Sequence, residues 1–206
     1  MIAIVDYGVG NLFSLKSSLQ AVGADVTVTG DAEKLRKADR IVLPGVGAFG
    51  DAAKKLKESG LSEILVEKAN GGTPLLGICL GMQLLLEKSF EYGEHDGLGL
   101  IPGVIRPISE TIPVGYKIPH IGWNALHFPN KKHPVFEDVK EGDCVYFVHS
   151  FHGTDCTEHT AATTEYGGIL TAAVADKNVI GCQFHPEKSG AVGLKILNAF
   201  CTKEGF

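Results

Sequence analysis

The sequence has no long apolar run. None of its hydrophobic stretches approaches the roughly 20 residues that a membrane span needs, so no membrane is expected as a partner. It has no block of like charge either. Its 19 Lys and Arg are scattered among 24 Asp and Glu, for a formal net charge of −5. Without a basic stripe, nucleic acid is not expected as a partner. Cys-x-x-Cys pairs are absent. The five cysteines, at positions 79, 144, 156, 182 and 201, are odd in number. That argues for a reducing cytosol and against a disulfide framework. No repeat, low-complexity tract or linker-like stretch divides the 206 residues. Residues 1–206 therefore read as one domain, long enough to bury a full core. The opening Met1-Ile-Ala-Ile-Val-Asp6 reads as a strand and not as a signal peptide, because no basic leader or cleavage site precedes it. A cytoplasmic location is the expectation.

What is present alternates. Residues 2–5 form a continuous apolar run, as in a strand buried on both faces of a parallel sheet. Asn11 is placed to cap a helix carrying Leu12, Leu15, Leu19 and Val22, ended by Gly23. A strand at 25–29, a short helix at 32–38 and a strand at 40–43 follow. Asp51 is placed to cap a helix reaching about position 70, with a break near Gly60. A strand at 75–78 then leads into a Leu-rich helix over 80–90. This repetition predicts an α/β fold, doubly wound around a mostly parallel sheet. From 97 to about 181 the rhythm changes to short β-prone runs among Pro and Gly. Strands at 145–148, 161–165, 170–175 and 179–184 read as antiparallel additions to the sheet edge. A helix near 189–202 packs the end of the chain back onto the sheet.

Cys79 sits where the buried strand meets the helix, with Gly77 and Gly81 two residues to either side. That is the form of a nucleophile elbow, with Cys in place of Ser. Glycines belong there because a β-carbon would collide with the crossing backbone. A side chain at the apex faces a helix N-terminus, which favours a thiolate. The ordinary alternative is a small buried hydrophobe.

Three further constellations bear on this. Gly45-x-Gly47-x-x-Gly50 has the form of a dinucleotide fingerprint. It follows the third strand, however, and no acidic strand end lies about 20 residues on. Gly-rich backbone beside a cleft also binds anions. If Gly47 lies next to Cys79, its N–H and that of Leu80 can hold an oxyanion. The alternative is a plain surface turn. Gln183-Phe-His185-Pro-Glu187 ends a strand and sets His185 and Glu187 on one side, with Pro186 holding the link extended. The acid would orient the imidazole. With Cys79 this makes a triad in the order Cys, His, Glu, unlike α/β-hydrolases, where the acid precedes the His. The alternative is a surface ion pair. His149, His152, Cys156 and His159 suggest zinc by proximity, but their spacing matches no finger. His185-x-Glu187 also lacks the Pro-Cys-x-x-Cys of zinc deaminases. No metal is expected.

Gly77-Ile-Cys79-Leu-Gly81-Met-Gln83, Pro44-Gly-Val-Gly47 and Phe184-His185-Pro-Glu187-Lys-Ser189 together resemble the blocks of the class I, or triad, glutamine amidotransferases. They occur in the same order and span essentially the whole chain. The resemblance implies the flavodoxin-like fold of that family and hydrolysis of L-glutamine to glutamate and ammonia. It implies a Cys79 thioester, His185 as base, Glu187 as its orienting acid and no cofactor. It also implies Gly47 and Leu80 as the oxyanion hole. Gln83 and the Ser150-Phe151 backbone would hold the amino-acid end of the substrate. Asp6-Tyr-Gly-Val-Gly-Asn11, Pro119-His-Ile-Gly-Trp123-Asn124 and Tyr146-Phe-Val-His149-Ser150-Phe151 are similar to one branch of the family. In that branch the glutaminase forms a heterodimer with a (β/α)8-barrel cyclase of histidine biosynthesis. A barrel of about 250 residues has no room here, so the cyclase is expected to be a separate polypeptide. Asn11, Trp123 and Tyr146 are the candidates for the surface that meets it, near the ammonia exit. Their ordinary alternatives are a helix cap, a core Trp and an edge-strand aromatic. The loop 44–50 is expected to be set by the partner's ligand, which would prevent wasteful glutamine loss. Two other readings stay open. One is a glutaminase serving pyridoxal phosphate, anthranilate or guanylate synthesis. The other is a non-catalytic binding module of the same fold.

Overall fold

The computed structural model describes residues 1–204. Strands β1 (Ile2–Val5), β2 (Val26–Thr29), β3 (Arg40–Gly45) and β4 (Leu75–Cys79) alternate with helices α1 (Leu12–Ala21), α2 (Ala32–Arg36) and the pair α3 (Phe49–Glu58) and α4 (Leu61–Asn70). The short helix α5 (Leu80–Leu85) follows. Then come β5 (Leu86–Ser89), β6 (His95–Asp96), β7 (Ile101–Pro107), β8 (His120–Ala125), β9 (Cys144–His149), β10 (Phe151–Thr154), β11 (Thr160–Glu165), β12 (Ile169–Asp176) and β13 (Val179–Cys182). Helix α6 (Gly190–Thr202) closes the chain.

The main sheet runs β11-β12-β13-β4-β3-β1-β2. The five strands from β13 to β2 are mutually parallel, and β12 and β11 add antiparallel at one edge. Successive residues of a strand point to opposite faces, which sorts the core into two layers. Ala3 and Val5 pack with Leu56, Leu65 and Leu85 on the side of α3, α4 and α5. Ile2 and Ile4 pack with Leu15 and Leu19 of α1 and with Ile196 and Phe200 of α6. Each such side chain, fully buried, contributes about 1.5–3 kcal/mol. The expected doubly wound architecture is present.

Several local expectations change. The 80–90 stretch is not one helix. It breaks at Leu85, and Leu86–Ser89 becomes β5, parallel to β7 and antiparallel to β6. Gly97 lets the chain close on it, since a β-carbon there would lie 2.0 Å from the Leu86 carbonyl oxygen. Asn11 stands at the start of α1, but its side chain makes no capping bond. Helix α3 starts at Phe49, with Ala48 and not Asp51 as its cap. Asp51 lies in the first turn, where its charge favours the positive end of the helix dipole. The break near Gly60 is real, and that glycine is left-handed at φ 70°. The later strands are not all edge additions. β13 lies inside the main sheet, parallel to β4, and ends at Cys182. β10-β7-β5-β6 and β8-β9 form two further sheets. Short β-prone runs specify a strand but not its neighbour, which non-local packing decides. No helix among the described residues is long and apolar enough to cross a membrane.

Candidate active site

Cys79 is the last residue of β4 and the turn into α5. Its backbone sits at φ 55°, ψ −112°, a region that L side chains rarely adopt. Such strain costs of order 1–3 kcal/mol and persists only where the surroundings enforce it. Here three glycines do so. A β-carbon at Gly81 would lie 1.8 Å from the Leu43 carbonyl oxygen, and one at Gly77 would lie 2.6 Å from the Gly81 carbonyl oxygen. One at Gly45 would meet the Gly81 nitrogen at 2.9 Å. Helix α5 is thus pressed backbone to backbone onto β3 and β4, and the thiol is lifted off the sheet. Tyr7, buried beneath, donates its hydroxyl to the Pro44 carbonyl at 2.9 Å. Burial, and then the charge of a thiolate at Cys79, push the Tyr7 phenol up, so it stays a donor. This fixes the base of the 44–50 loop. At the loop's tip Gly47 has φ 94° and open space around it.

His185 follows β13, the strand beside β4. Its Nδ1 lies 2.8 Å from Glu187 Oε1, and both side chains are buried. Pro186 does not hold the link extended. It opens a 3-10 turn, Pro186–Lys188, that curls Glu187 back beneath the imidazole. Proline's fixed φ suits that first position. The His185 backbone is clamped as well. Its N–H donates to the Tyr146 carbonyl at 3.0 Å, and its carbonyl accepts from Ser189 Oγ at 2.6 Å. Cys79 lines the same cleft as His185 and acts on the imidazole electrostatically. Burial lowers the imidazole pKa, but hydrogen bonds to Cys79 and Glu187 and the negative charge of both outweigh it. The result is about 9. Cys182 and Cys156 are pushed up by burial, and Cys201 is pushed up to about 11 for the same reason, so all three stay thiols.

Around this pair lies a cleft of about 350 Å³. Gly47, Cys79, Leu80, Gln83, Ser150, Phe151 and His185 all line it. Gln83 is buried, not solvent-facing. Its Nε2 donates to the Phe151 carbonyl at 3.3 Å and to Gln183 Oε1 at 3.0 Å. Gln183 Nε2 in turn reaches the Cys79 sulfur at 3.8 Å. Sequence reading passed over Gln183, although it lies two residues before His185, the spacing that shares a strand face. It also passed over Glu91, which lines the cleft and accepts the Phe49 N–H at 2.6 Å. Nothing in the local pattern marked Glu91. A larger apolar cavity, about 520 Å³, lies between α3, α4 and residues 96–98. It holds neither Cys79 nor His185.

The remaining candidates sit on β8, β9 and α1. Trp123 is 55% exposed, at the rim and not in the core. It faces Tyr146 across the β8–β9 ladder, edge to face at 6.1 Å. Lys188 Nζ lies 5.9 Å from the Tyr146 ring centre. Asn11 adjoins Gly10, which packs against the Pro44 ring. The histidines near 150 serve hydrogen bonding. His149 Nδ1 meets the Phe151 carbonyl at 2.8 Å, and His152 Nε2 meets Thr111 Oγ1 at 2.9 Å. Among the described residues no group of three His, Cys, Asp or Glu is placed to hold a metal.

The family model described as "Glutamine amidotransferase class-I" matches residues 3–203. The chain is 48% identical over 203 residues to the "Imidazole glycerol phosphate synthase subunit HisH" of Wolinella succinogenes, covering 98% of each. It is 48% identical over 202 residues to the protein of the same description from Aquifex aeolicus, covering 97% of this chain and 95% of that one. Among solved structures it resembles "Structure of PurLQS from Thermotoga maritima" with TM-score 0.76 and 21% identity, over 97% of this chain and 96% of that one. It also resembles "Crystal structure of glutamine amidotransferase" with TM-score 0.73 and 19% identity, over 94% and 95%. These structures support the fold, and the closer sequences narrow the group. A cysteine at a strained elbow, sharing its cleft with a histidine that an acid holds from behind, is thus found in a chain that belongs to the class I glutamine amidotransferases, within the HisH group of imidazole glycerol phosphate synthase subunits.

Proposed function

We propose that Cys79, His185 and Glu187 hydrolyse L-glutamine for an imidazole glycerol phosphate synthase, and that residues 1–206 form one glutaminase domain. The observation that carries this reading is His185 held by Glu187 at 2.8 Å and lining one cleft with Cys79. Glu187 occupies Nδ1, which leaves Nε2 for the thiol. With its pKa raised to about 9, His185 already carries the proton that the thiol gives up, and the sulfur attacks the carboxamide carbon. Negative charge develops on the carbonyl oxygen. The Leu80 N–H, unpaired within the first turn of α5, and the Gly47 N–H at the loop tip are the donors for it. His185 returns the proton to the departing nitrogen, the C–N bond breaks, and ammonia and a glutamyl thioester result. Water then attacks the thioester with His185 as base, which releases glutamate and the thiol. Every group these steps need is a side chain or backbone N–H, so no cofactor enters.

Substrate recognition follows from the same cleft. The α-ammonium of glutamine calls for an anion, and Glu91 supplies a carboxylate there. Gln83 and the Ser150-Phe151 backbone line the other side. Ammonia goes to a cyclase subunit, for which a (β/α)8 barrel is the reading, in a heterodimer in the cytoplasm. Exposed Trp123, with Tyr146 and Asn11, is the proposed docking surface. Tyr146 accepts a hydrogen bond from the His185 backbone, so contact there reaches the base through one strand. Gly47 at the open tip of the 44–50 loop is the point that partner binding would set.

The experiment is ammonia release by the purified chain, alone and with the cyclase and its ligand. A glutamine-like electrophile should label Cys79. Cys79→Ala should still bind the cyclase yet release no ammonia. Ammonia release by Cys79→Ala at the native rate would overturn the reading. Full activity in the isolated chain would remove only the gating part. Association with another synthase in place of the cyclase would move the chain to a different amidotransferase.

A further inference from the structure

Hydrogen bonds run in series from β8 into the cleft. Asn124 Nδ2 donates to the Glu165 carbonyl at 2.9 Å. Turning the amide over would set its oxygen against that carbonyl, so Oδ1 stays aimed at His120 Nε2, 2.8 Å away. His120 Nδ1 lies 3.0 Å from His149 Nε2. His149 Nδ1 lies 2.8 Å from the Phe151 carbonyl oxygen. That carbonyl also accepts from Gln83, which leads through Gln183 to the Cys79 sulfur.

The protons in this chain do not add up for a neutral pair. Both ends are pure acceptors, an amide oxygen and a peptide carbonyl. His120 Nε2 therefore needs a hydrogen for Asn124, and His149 Nδ1 needs one for Phe151. The nitrogen-to-nitrogen contact needs a third. Two neutral imidazoles carry only two. Both rings are buried, and His120 is stacked between Phe147 at 5.1 Å and Tyr166 at 4.1 Å. Burial pushes His149 down to about 3, against its bond to Phe151, and the neighbouring His120, His152 and His185 push it the same way as burial. Burial lowers His120 too, against its bond to Asn124. Burial thus favours the neutral form of both rings, and a neutral pair leaves one link of the chain without a hydrogen.

We propose that His120 and His149 are positioning residues for glutamine hydrolysis, a proton-short pair that holds either Asn124, beside exposed Trp123, or the Phe151 carbonyl in the cleft, but not both. The proposal rests on the reading of the cleft as a glutamine site. When Asn124 is drawn away, the His120 proton moves from Nε2 to Nδ1 and satisfies His149 Nε2. The His149 hydrogen moves in step from Nε2 to Nδ1, where it holds Phe151. No proton is gained or lost. A contact made over Trp123 thereby alters the carbonyl on which Gln83 rests.

The test is imidazole 15N NMR of the full chain labelled in histidine, near neutral pH. In the native chain both rings should be neutral, with His149 divided between its two tautomers. Asn124→Leu removes one acceptor and should move His149 wholly to the Nδ1–H form. Asn124→Ala serves if the leucine variant does not fold. In the glutaminase assay with the cyclase, the variant's KM for glutamine should fall by about tenfold or less, the worth of one hydrogen bond, with kcat held. A cationic ring in the native chain, an unchanged His149 tautomer ratio in the variant, or a tautomer shift without a change in KM would each overturn the proposal. The spectra do not involve glutamine. A native chain that shows the tautomer shift but releases no ammonia would sink the glutaminase reading instead.

Discussion

Cys79 and His185 leave neighbouring strands of one sheet, yet opposite means hold them. The cysteine side is locked by exclusion. Gly77, Gly81 and Gly45 let backbones touch, and nothing larger than hydrogen fits between them. The histidine side is locked by attraction, through Glu187, Ser189 and the Tyr146 carbonyl. A steric lock is all or nothing. A polar lock is graded, because each hydrogen bond contributes about 0.5–1.5 kcal/mol and can be lost singly. The strained Cys79 therefore sits on the side that cannot yield, and the His185 imidazole sits on the side that can.

The sharpest way to break this contrast is Gly81→Ala. Its methyl would overlap the Leu43 carbonyl, so the chain should lose about 3 kcal/mol or more in chemical denaturation, or fail to fold. A variant of native stability would refute the steric lock. On the polar side Glu187→Gln should cost less stability than Gly81→Ala but cut kcat by about 10²–10⁴, since the amide no longer fixes the imidazole tautomer. Steady-state glutaminase kinetics read this directly, and native kcat would show that Glu187 does not orient His185.

The smallest expected effect is on pH dependence. The folded His185 has its pKa raised to about 9, above the ordinary 6.5. Its protonated form thus stabilises the fold fully below about pH 6.5, and that contribution is lost as pH rises through about 9. Cys79→Ala removes one hydrogen bond and one negative charge that hold it up. Its His185 should titrate lower by NMR, and the stability loss between those two pH values should shrink. An unchanged titration would mean that Glu187 alone sets the value.

The steric half was the more legible in sequence. Glycine spacing around Cys79 is a local pattern with one physical cause, and it announced the elbow. His185 and Glu187 were legible because two residues apart is itself a geometry, although the turn at Pro186 differed from the extended link expected. The polar surroundings were not legible. Gln183, Glu91, His120 and His149 acquire their roles from partners that are 29 to 104 positions away or in the cleft itself. The Leu-rich pattern of 80–90 misled for a related reason. Its second half is claimed by β7, a strand that local periodicity does not contain.

The pairing of β4 with β13 joins Leu75 to Val179 and Ile78 to Cys182. More than a hundred residues of chain must be synthesised and gathered before those two strands meet. Until they do, the polypeptide has Cys79 at its elbow but no His185 beside it. A chain cut short before β13 therefore lacks His185 and Glu187, and these two join Cys79 only once the last strands are in place.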